Sequence, residues 1–194
     1  TPSHKVQADL ALFYIDCRDQ QLTVFPEGQI TGRLMTNAGR TRSFGGEASL
    51  LATLWRNLDL QVAYGYTRAT FVKFDTGKAD YAGNFIPYAP QHTLYAGASY
   101  TLRTGWNCLE YVIFRVAANG AGRIYWNEAN TFSQPFYALL EASIRFEHRH
   151  WAVDVWGRNL TDTRYDTFYF MSIGNSFLQR GRPRTFGVSL SITL

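Results

Sequence analysis

WAVDVWGRNLTDTRYDTFYFMSIGNSFLQRGRPRTFGVSLSITL, residues 151–194, is the stretch whose reading decides the fold. It closes on a period-2 segment. Phe186, Val188, Leu190, Ile192 and Leu194 fall on one face, and Thr185, Gly187, Ser189, Ser191 and Thr193 on the other. Successive strand side chains point to opposite faces, so the segment has one apolar face and one small, polar face. The alternation runs to the final residue, where soluble domains are usually frayed and polar. A strand with lipid on one side and a watery or plugged lumen on the other has this pattern.

The same alternation recurs upstream. Strands are expected at 6–16, 42–55, 58–74, 92–102, 106–120, 136–147 and 151–158, ahead of the last at 185–194. Val6, Ala8, Leu10, Leu12 and Tyr14 share a face, as do Leu58, Leu60, Val62, Tyr64 and Tyr66. The strand at 106–120 is less regular, because Glu110 shares the parity of Val112 and Phe114. Either Glu110 sits near an interface or a bulge resets the count. A short strand at 22–25 falls inside the first link.

The links alternate in length. Long ones at 17–40, 75–91, 122–135 and 160–182 flank short ones at 56–57, 103–105 and 148–150. Outer-membrane barrels pair short periplasmic turns with long extracellular loops, whereas a soluble sandwich shows more evenly spaced turns. The alternation sets both chain ends on the short-turn side. Trp55, Trp106 and Trp151 each flank a short link and fit an inner aromatic girdle. Tyr64, Tyr66, Phe71, Tyr125 and Trp126 lie toward the long loops and fit an outer one.

Composition allows this without requiring it. Mean hydropathy is −0.21, and apolar runs such as LALFYI at 10–15 are far too short for a spanning helix. Aromatic residues make up 16%, which suits interfacial girdles and an aromatic-rich soluble β-protein equally. The net charge of +4 comes without a dense cationic run. RGRPR at 180–184 reads as a turn and strand start, so no nucleic-acid partner is expected. Cys17 and Cys108 fall near opposite rims, too far apart for a disulfide. TPSHKVQADL is not a secretion signal, so the chain reads as a mature or excised piece, a single domain over 1–194.

The residues Asn159, Leu160, Asp162 and Tyr165, then Gly181, Pro183, Arg184 and Phe186, resemble the closing motif of TonB-dependent outer-membrane receptors. That family typically ends in Phe, where this chain has Leu194. LALFYIDCRDQQ (10–21), YGYTRATF (64–71) and NFIPYAPQHTLYAGASYTL (84–102) are similar to its late strands and loops, in the same order. The resemblance implies an all-β, antiparallel transmembrane barrel of about 22 strands in the outer membrane. It further implies an N-terminal plug and import of a scarce nutrient, an iron–siderophore or haem among them, with energy from TonB. This chain would form the last third or so of the wall, contacting outer-membrane lipid, and would meet TonB only through a plug outside these residues.

Candidate ligand residues lie in the long loops: Tyr81, Tyr88, Tyr125, Trp126, Asn127, Tyr165, Tyr169 and Arg180. Aromatics with arginine suit an apolar or anionic chelate. The alternative is that these rings pack the loops together. No cofactor, metal or catalytic set is expected. His148 and His150 read as turn residues, and Asp16, Asp19, Asp162 and Asp166 as solvated acids. Two other readings stand behind the receptor: a self-contained eight-strand barrel with a structural or adhesive role, and a barrel enzyme. Small inward residues such as Gly97, Ser99, Gly187 and Ser189 argue for a wide barrel over a narrow, self-filled one.

Overall fold

A computed structural model describes residues 5–24, 34–37, 39–55, 57–172 and 175–193. The described strands are β1 (Lys5–Arg18), β2 (Gln21–Val24), β3 (Leu34–Asn37), β4 (Arg40–Leu54), β5 (Leu58–Lys73), β6 (His92–Trp106) and β7 (Leu109–Gly122). They continue with β8 (Ile124–Tyr125), β9 (Ser133–Gln134), β10 (Tyr137–His148), β11 (Trp151–Arg158), β12 (Asp166–Ser172), β13 (Asn175–Arg180) and β14 (Thr185–Ile192). Eight of them form one antiparallel meander in the order β1-β4-β5-β6-β7-β10-β11-β14. Three two-stranded hairpins, β2-β3, β8-β9 and β12-β13, rise from the long links.

Register settles the faces. Ala8, Leu50, Val62, Ala96, Ala118 and Leu140 run side by side across six strands. Three residues along, an odd step, Asp59, Ser99, Arg115, Ser143, Trp156 and Gly187 form a row facing the other way. Among the described residues the apolar face has no second layer over it: Leu12 is 80% exposed and Val188 is 67% exposed. So wide a greasy surface needs hydrocarbon against it, since soluble monomers keep such patches to a few hundred Å². The fully buried apolar cluster, Phe71 and Phe74 with Tyr81 and Ile86 against them, lies instead where β5 enters its long loop.

Closure is not shown. Among the described strands β1 pairs only with β4 and β14 only with β11. The inward glycines have a local reason besides barrel width. A Cβ on Gly187 would meet Trp156 Cζ2 at 2.3 Å, and one on Gly97 would meet the Tyr95 hydroxyl at 2.7 Å. These glycines let large rings lie flat on the wall.

Several expectations shift in detail. β6 runs on to Trp106 and β7 starts at Leu109, so the short link is Asn107-Cys108 and not 103–105. A bulge between Arg103 and Trp106 makes the difference, with Gly105 at φ 75 and the Trp106 amide donating to Thr104 Oγ1 at 3.1 Å. Glu110 is the second residue of β7, beside the turn at the rim. Of the expected 22–25 strand, residues 22–24 fall in β2, paired with β3, and Phe25 lies outside the described residues. The 160–182 link is no plain loop, because β12 and β13 pair within it. Arg56, Leu194, His4 and residues 25–33 lie outside the described residues.

Trp55 and Trp106 stand 68% and 65% exposed at the short-turn rim, and Trp151 stacks on His148 at 5.9 Å. Two rings assigned to the outer girdle are not there. Phe71 is 1% exposed and Trp126 is 7% exposed, both packed within loop structure. Phe71 pairs with buried Thr41 on the inward side of the ladder. Cys17 pairs with Thr41 at the long-loop end of β1, while Cys108 sits in a short turn at the other rim, and both are free.

Candidate functional site

Three long loops gather above the open end of the wall. The segment after β5 folds back along it: Phe71 N donates to Asn84 O at 2.9 Å, Gly83 N to Phe71 O at 2.8 Å, and Ile86 N to Ala69 O at 3.0 Å. Phe74 lies between Phe71 and Tyr81, with ring centroids 4.8 and 5.5 Å away.

Asn130 ties this loop to the next. Its backbone is left-handed, φ 57, which Asn tolerates better than most residues. Its Oδ1 accepts from Phe85 N at 2.7 Å and its Nδ2 donates to Phe85 O at 2.9 Å, so the amide acts as a strand partner. Asn127 shapes the same turn: its Oδ1 accepts from Thr131 N at 3.0 Å, and its Nδ2 donates to Thr131 Oγ1 at 2.6 Å.

The β12-β13 hairpin leans against both loops. Tyr88, at φ 63, donates through its hydroxyl to Tyr169 O at 3.0 Å. Its ring stacks on Phe168 at 5.5 Å and tilts against Trp126 at 5.5 Å. Phe132 stacks on Tyr169 at 4.6 Å, and Tyr125 on Phe85 at 5.3 Å. Buried Gln134 accepts from Asp166 N at 2.9 Å.

The sequence-predicted ligand residues therefore split. Trp126 and Tyr169, each 7% exposed, form the underside of the cluster. Tyr81 packs on Phe74, and Tyr125 and Asn127 hold their own loop. Tyr165 stacks on Tyr137 at 4.5 Å. Tyr88 is 40% exposed, and Arg180, at the end of β13, is exposed. Sequence reading passed over Asn130, whose signal was an Asn able to take φ > 0 in the turn NEAN.

The closing motif proves to be a clamp. Asn159, φ 49 and 5% exposed, donates from Nδ2 to Thr163 O at 3.0 Å and to Arg182 O at 3.1 Å, and its Oδ1 accepts from Thr163 N at 2.9 Å. Asp162 Oδ1 accepts from Arg184 N at 3.0 Å, and Leu160 N donates to Leu140 O at 2.8 Å. Gly181 N donates to Tyr165 O at 2.8 Å, and a Cβ on Gly181 would strike the Tyr165 ring at 2.0 Å. Pro183 lies in the short segment between β13 and β14, and Phe186, the second residue of β14, pairs with Gly157. The motif locks the loop after β11 to the start of β14.

Below the loops the inward wall forms a concavity of about 470 Å³, bordered by Asp59, Arg115, Glu141, Asp154, Trp156 and Arg158 among others. Trp156 Nε1 donates to Ser189 Oγ at 3.1 Å, Arg158 lies 4.9 Å from the Trp156 ring, and Asn119 donates to Glu141 at 3.1 Å. Asp154 Oδ1 is buried without a partner among the described residues. Charges of both signs on the concave face and hydrocarbon on the convex one define a segment of outer-membrane barrel wall. Comparison with known proteins specifies which. The family model for TonB dependent receptor-like β-barrels matches residues 3–160, and the chain belongs to that family, whose members reside in the outer membrane.

Among curated relatives, the pesticin receptor of Yersinia pestis is 26% identical over 193 residues, and that of Yersinia enterocolitica is 27% identical over the same length. The match covers 96% of this chain but 27% of each relative, so the chain spans about a quarter of their length. The ferric yersiniabactin uptake receptor of Yersinia pestis superposes with a TM-score of 0.80 at 23% identity, over 96% of this chain and 27% of that one. The ferric citrate transporter FecA gives 0.72 at 21% identity, over 96% and 29%. These likenesses establish the fold.

Proposed function

We propose that residues 1–194 form a single domain, part of the barrel wall of a receptor that imports a scarce nutrient, with an iron chelate as the ligand class. The observation that carries this is the aromatic loop cluster standing over an open, polar lumenal face. The named activities of the relatives, ferric yersiniabactin uptake and ferric citrate transport, support the same class. Ligand meets Tyr88 and Arg180 at the cluster surface, while Trp126 and Tyr169 support them from beneath. Tyr81, Tyr125, Asn127 and Tyr165 fix the shape of the loops. Arginine attracts the anionic chelate, and exposed rings cover its apolar edge. Passage then follows the polar concave wall past a plug, and TonB acts on that plug, not on this wall. Nothing in this reading calls for bond-making chemistry, a cofactor or a resident metal.

The test is binding of a panel of ferric chelates to the receptor in detergent, read by quenching of tryptophan fluorescence. A Tyr88→Ala/Arg180→Ala variant should bind its chelate about tenfold or more weakly, as loss of a charge-assisted contact predicts. Binding and iron-limited growth equal to the parent would overturn the proposal.

A further inference from the structure

The hydrocarbon-facing side of β1, β4 and β5 is layered along its length. Residues opposite one another in the ladder share a face, so each row can be followed across all three strands. Above the row of Ala8, Leu50 and Val62 come Leu10, Ala48 and Tyr64, then Leu12, Gly46 and Tyr66. The next row is Tyr14, Phe44 and Arg68, and above it come Asp16, Arg42 and Thr70. The top row is Arg18, Arg40 and Lys73, the last set opposite Arg40 by a bulge beyond Phe71 that breaks the even-residue parity of β5. The apolar part of β5, 58–66, matches the ~9–11 residues that cross a bilayer, and it ends on the aromatic belt of Tyr14, Phe44 and Tyr66. Cations begin where hydrocarbon stops.

Five cations, Arg18, Arg40, Arg42, Arg68 and Lys73, stand there against one carboxylate, Asp16. Asp19 and Asp75 lie in the turns just beyond. Asp16 is taken by Arg40, whose Nη2 donates to Oδ2 at 2.6 Å and Nε to Oδ1 at 2.9 Å. Arg42 only skirts it, Nε to Oδ2 at 3.9 Å, and that buried Nε has no hydrogen-bond partner. Arg42 is propped over the Tyr14 ring at 5.9 Å, and Arg68 over Phe85 at 5.8 Å. The two guanidiniums are diagonal neighbours on adjacent strands, roughly 7–8 Å apart at the backbone. Arg68 is held by a ring, and Arg42 by a ring with only a marginal approach to Asp16, at headgroup height on a lipid-facing surface.

We propose that this cationic shelf binds the phosphate groups of a membrane lipid headgroup in the leaflet on the long-loop side, with Arg42 and Arg68 as the principal donors and Arg18 and Lys73 flanking them. The apolar rows beneath receive the acyl chains of the same lipid. Guanidinium forks suit phosphate oxygens, and the shelf's excess of positive charge complements a multiply phosphorylated glycolipid better than a zwitterionic one.

The test titrates the whole receptor in non-ionic detergent with a bis-phosphorylated glycolipid, its dephosphorylated form, and inorganic phosphate, read by native mass spectrometry. The phosphorylated lipid should bind, and its dephosphorylated form should not. Arg42→Gln/Arg68→Gln should weaken binding on the order of 30-fold, as expected for two interfacial cations. Arg149→Gln, which removes one charge at the opposite rim, should leave it unchanged. Equal binding by the double variant, or by the dephosphorylated lipid, overturns the proposal. Displacement by inorganic phosphate at matched phosphate concentration overturns it in favour of a free-anion site. Should the double variant fail to fold, the parent decides: its affinity must fall as salt rises, and a flat response overturns the proposal.

Discussion

Replacing Asn159 tests whether the closing motif is a structural clamp. Alanine there removes two donated hydrogen bonds, to Thr163 O and Arg182 O, and one accepted from Thr163 N. Each is worth about 1 kcal/mol net. The backbone is left-handed, φ 49, where alanine costs about 1 kcal/mol more than asparagine. The sum is about 4 kcal/mol for Asn159→Ala. Glycine loses the same three bonds without the backbone term, so Asn159→Gly should cost about 3 kcal/mol. The ordering parent, glycine, alanine is the signature. Urea unfolding in detergent micelles gives the totals. Amide exchange then localises the loss, with Thr163, Gly181 and Arg184 exchanging faster while Val62 and Ala96 in the wall do not. Variants within about 0.5 kcal/mol of the parent, or alanine no worse than glycine, would refute the reasoning.

Three further outcomes are expected. Val155→Arg, opposite Val188 and Ile144 on the hydrocarbon face, should cost about 2–4 kcal/mol in vesicle-refolding titrations, whereas Ser99→Arg on the inward wall should cost under about 1 kcal/mol. Gly181→Ala should destabilise by about 1–3 kcal/mol, because a Cβ there meets the Tyr165 ring at 2.0 Å, and adding Tyr165→Ala should recover part of that in a double-mutant cycle. Asn130→Ala breaks both bonds to Phe85 and should raise exchange at the Phe85 amide roughly 30-fold, matching about 2 kcal/mol, with wall amides unchanged.

The wall was legible because one rule governs it. With lipid on one face, every second residue must be apolar, so period-2 counting recovers the eight long strands and their facing. Parity carried more than was taken from it. Phe71 is odd-numbered in a strand whose even residues face lipid, and the structure turns it inward against Thr41. The link at 103–105 was misplaced because Gly105 reads as a turn signal, yet here it serves a bulge inside β6. The loops were read only in part. Their aromatic content pointed to ligand contact, but burial depends on which loop meets which. Tyr88 reaching Tyr169 across 81 positions leaves no local trace. The hairpin β12-β13 did leave one, the β-favouring aromatic run from Phe168 to Phe170, which the surrounding turn residues obscured.

The two open margins of the sheet bear on how the molecule is made. β1 and β14 each turn one row of amides and carbonyls toward no described neighbour. In hydrocarbon, every such group left without a partner costs several kcal/mol. A half-sewn seam therefore has no resting place within the bilayer. Insertion has to keep pace with the pairing of both margins, or those backbone groups must stay shielded until they are paired.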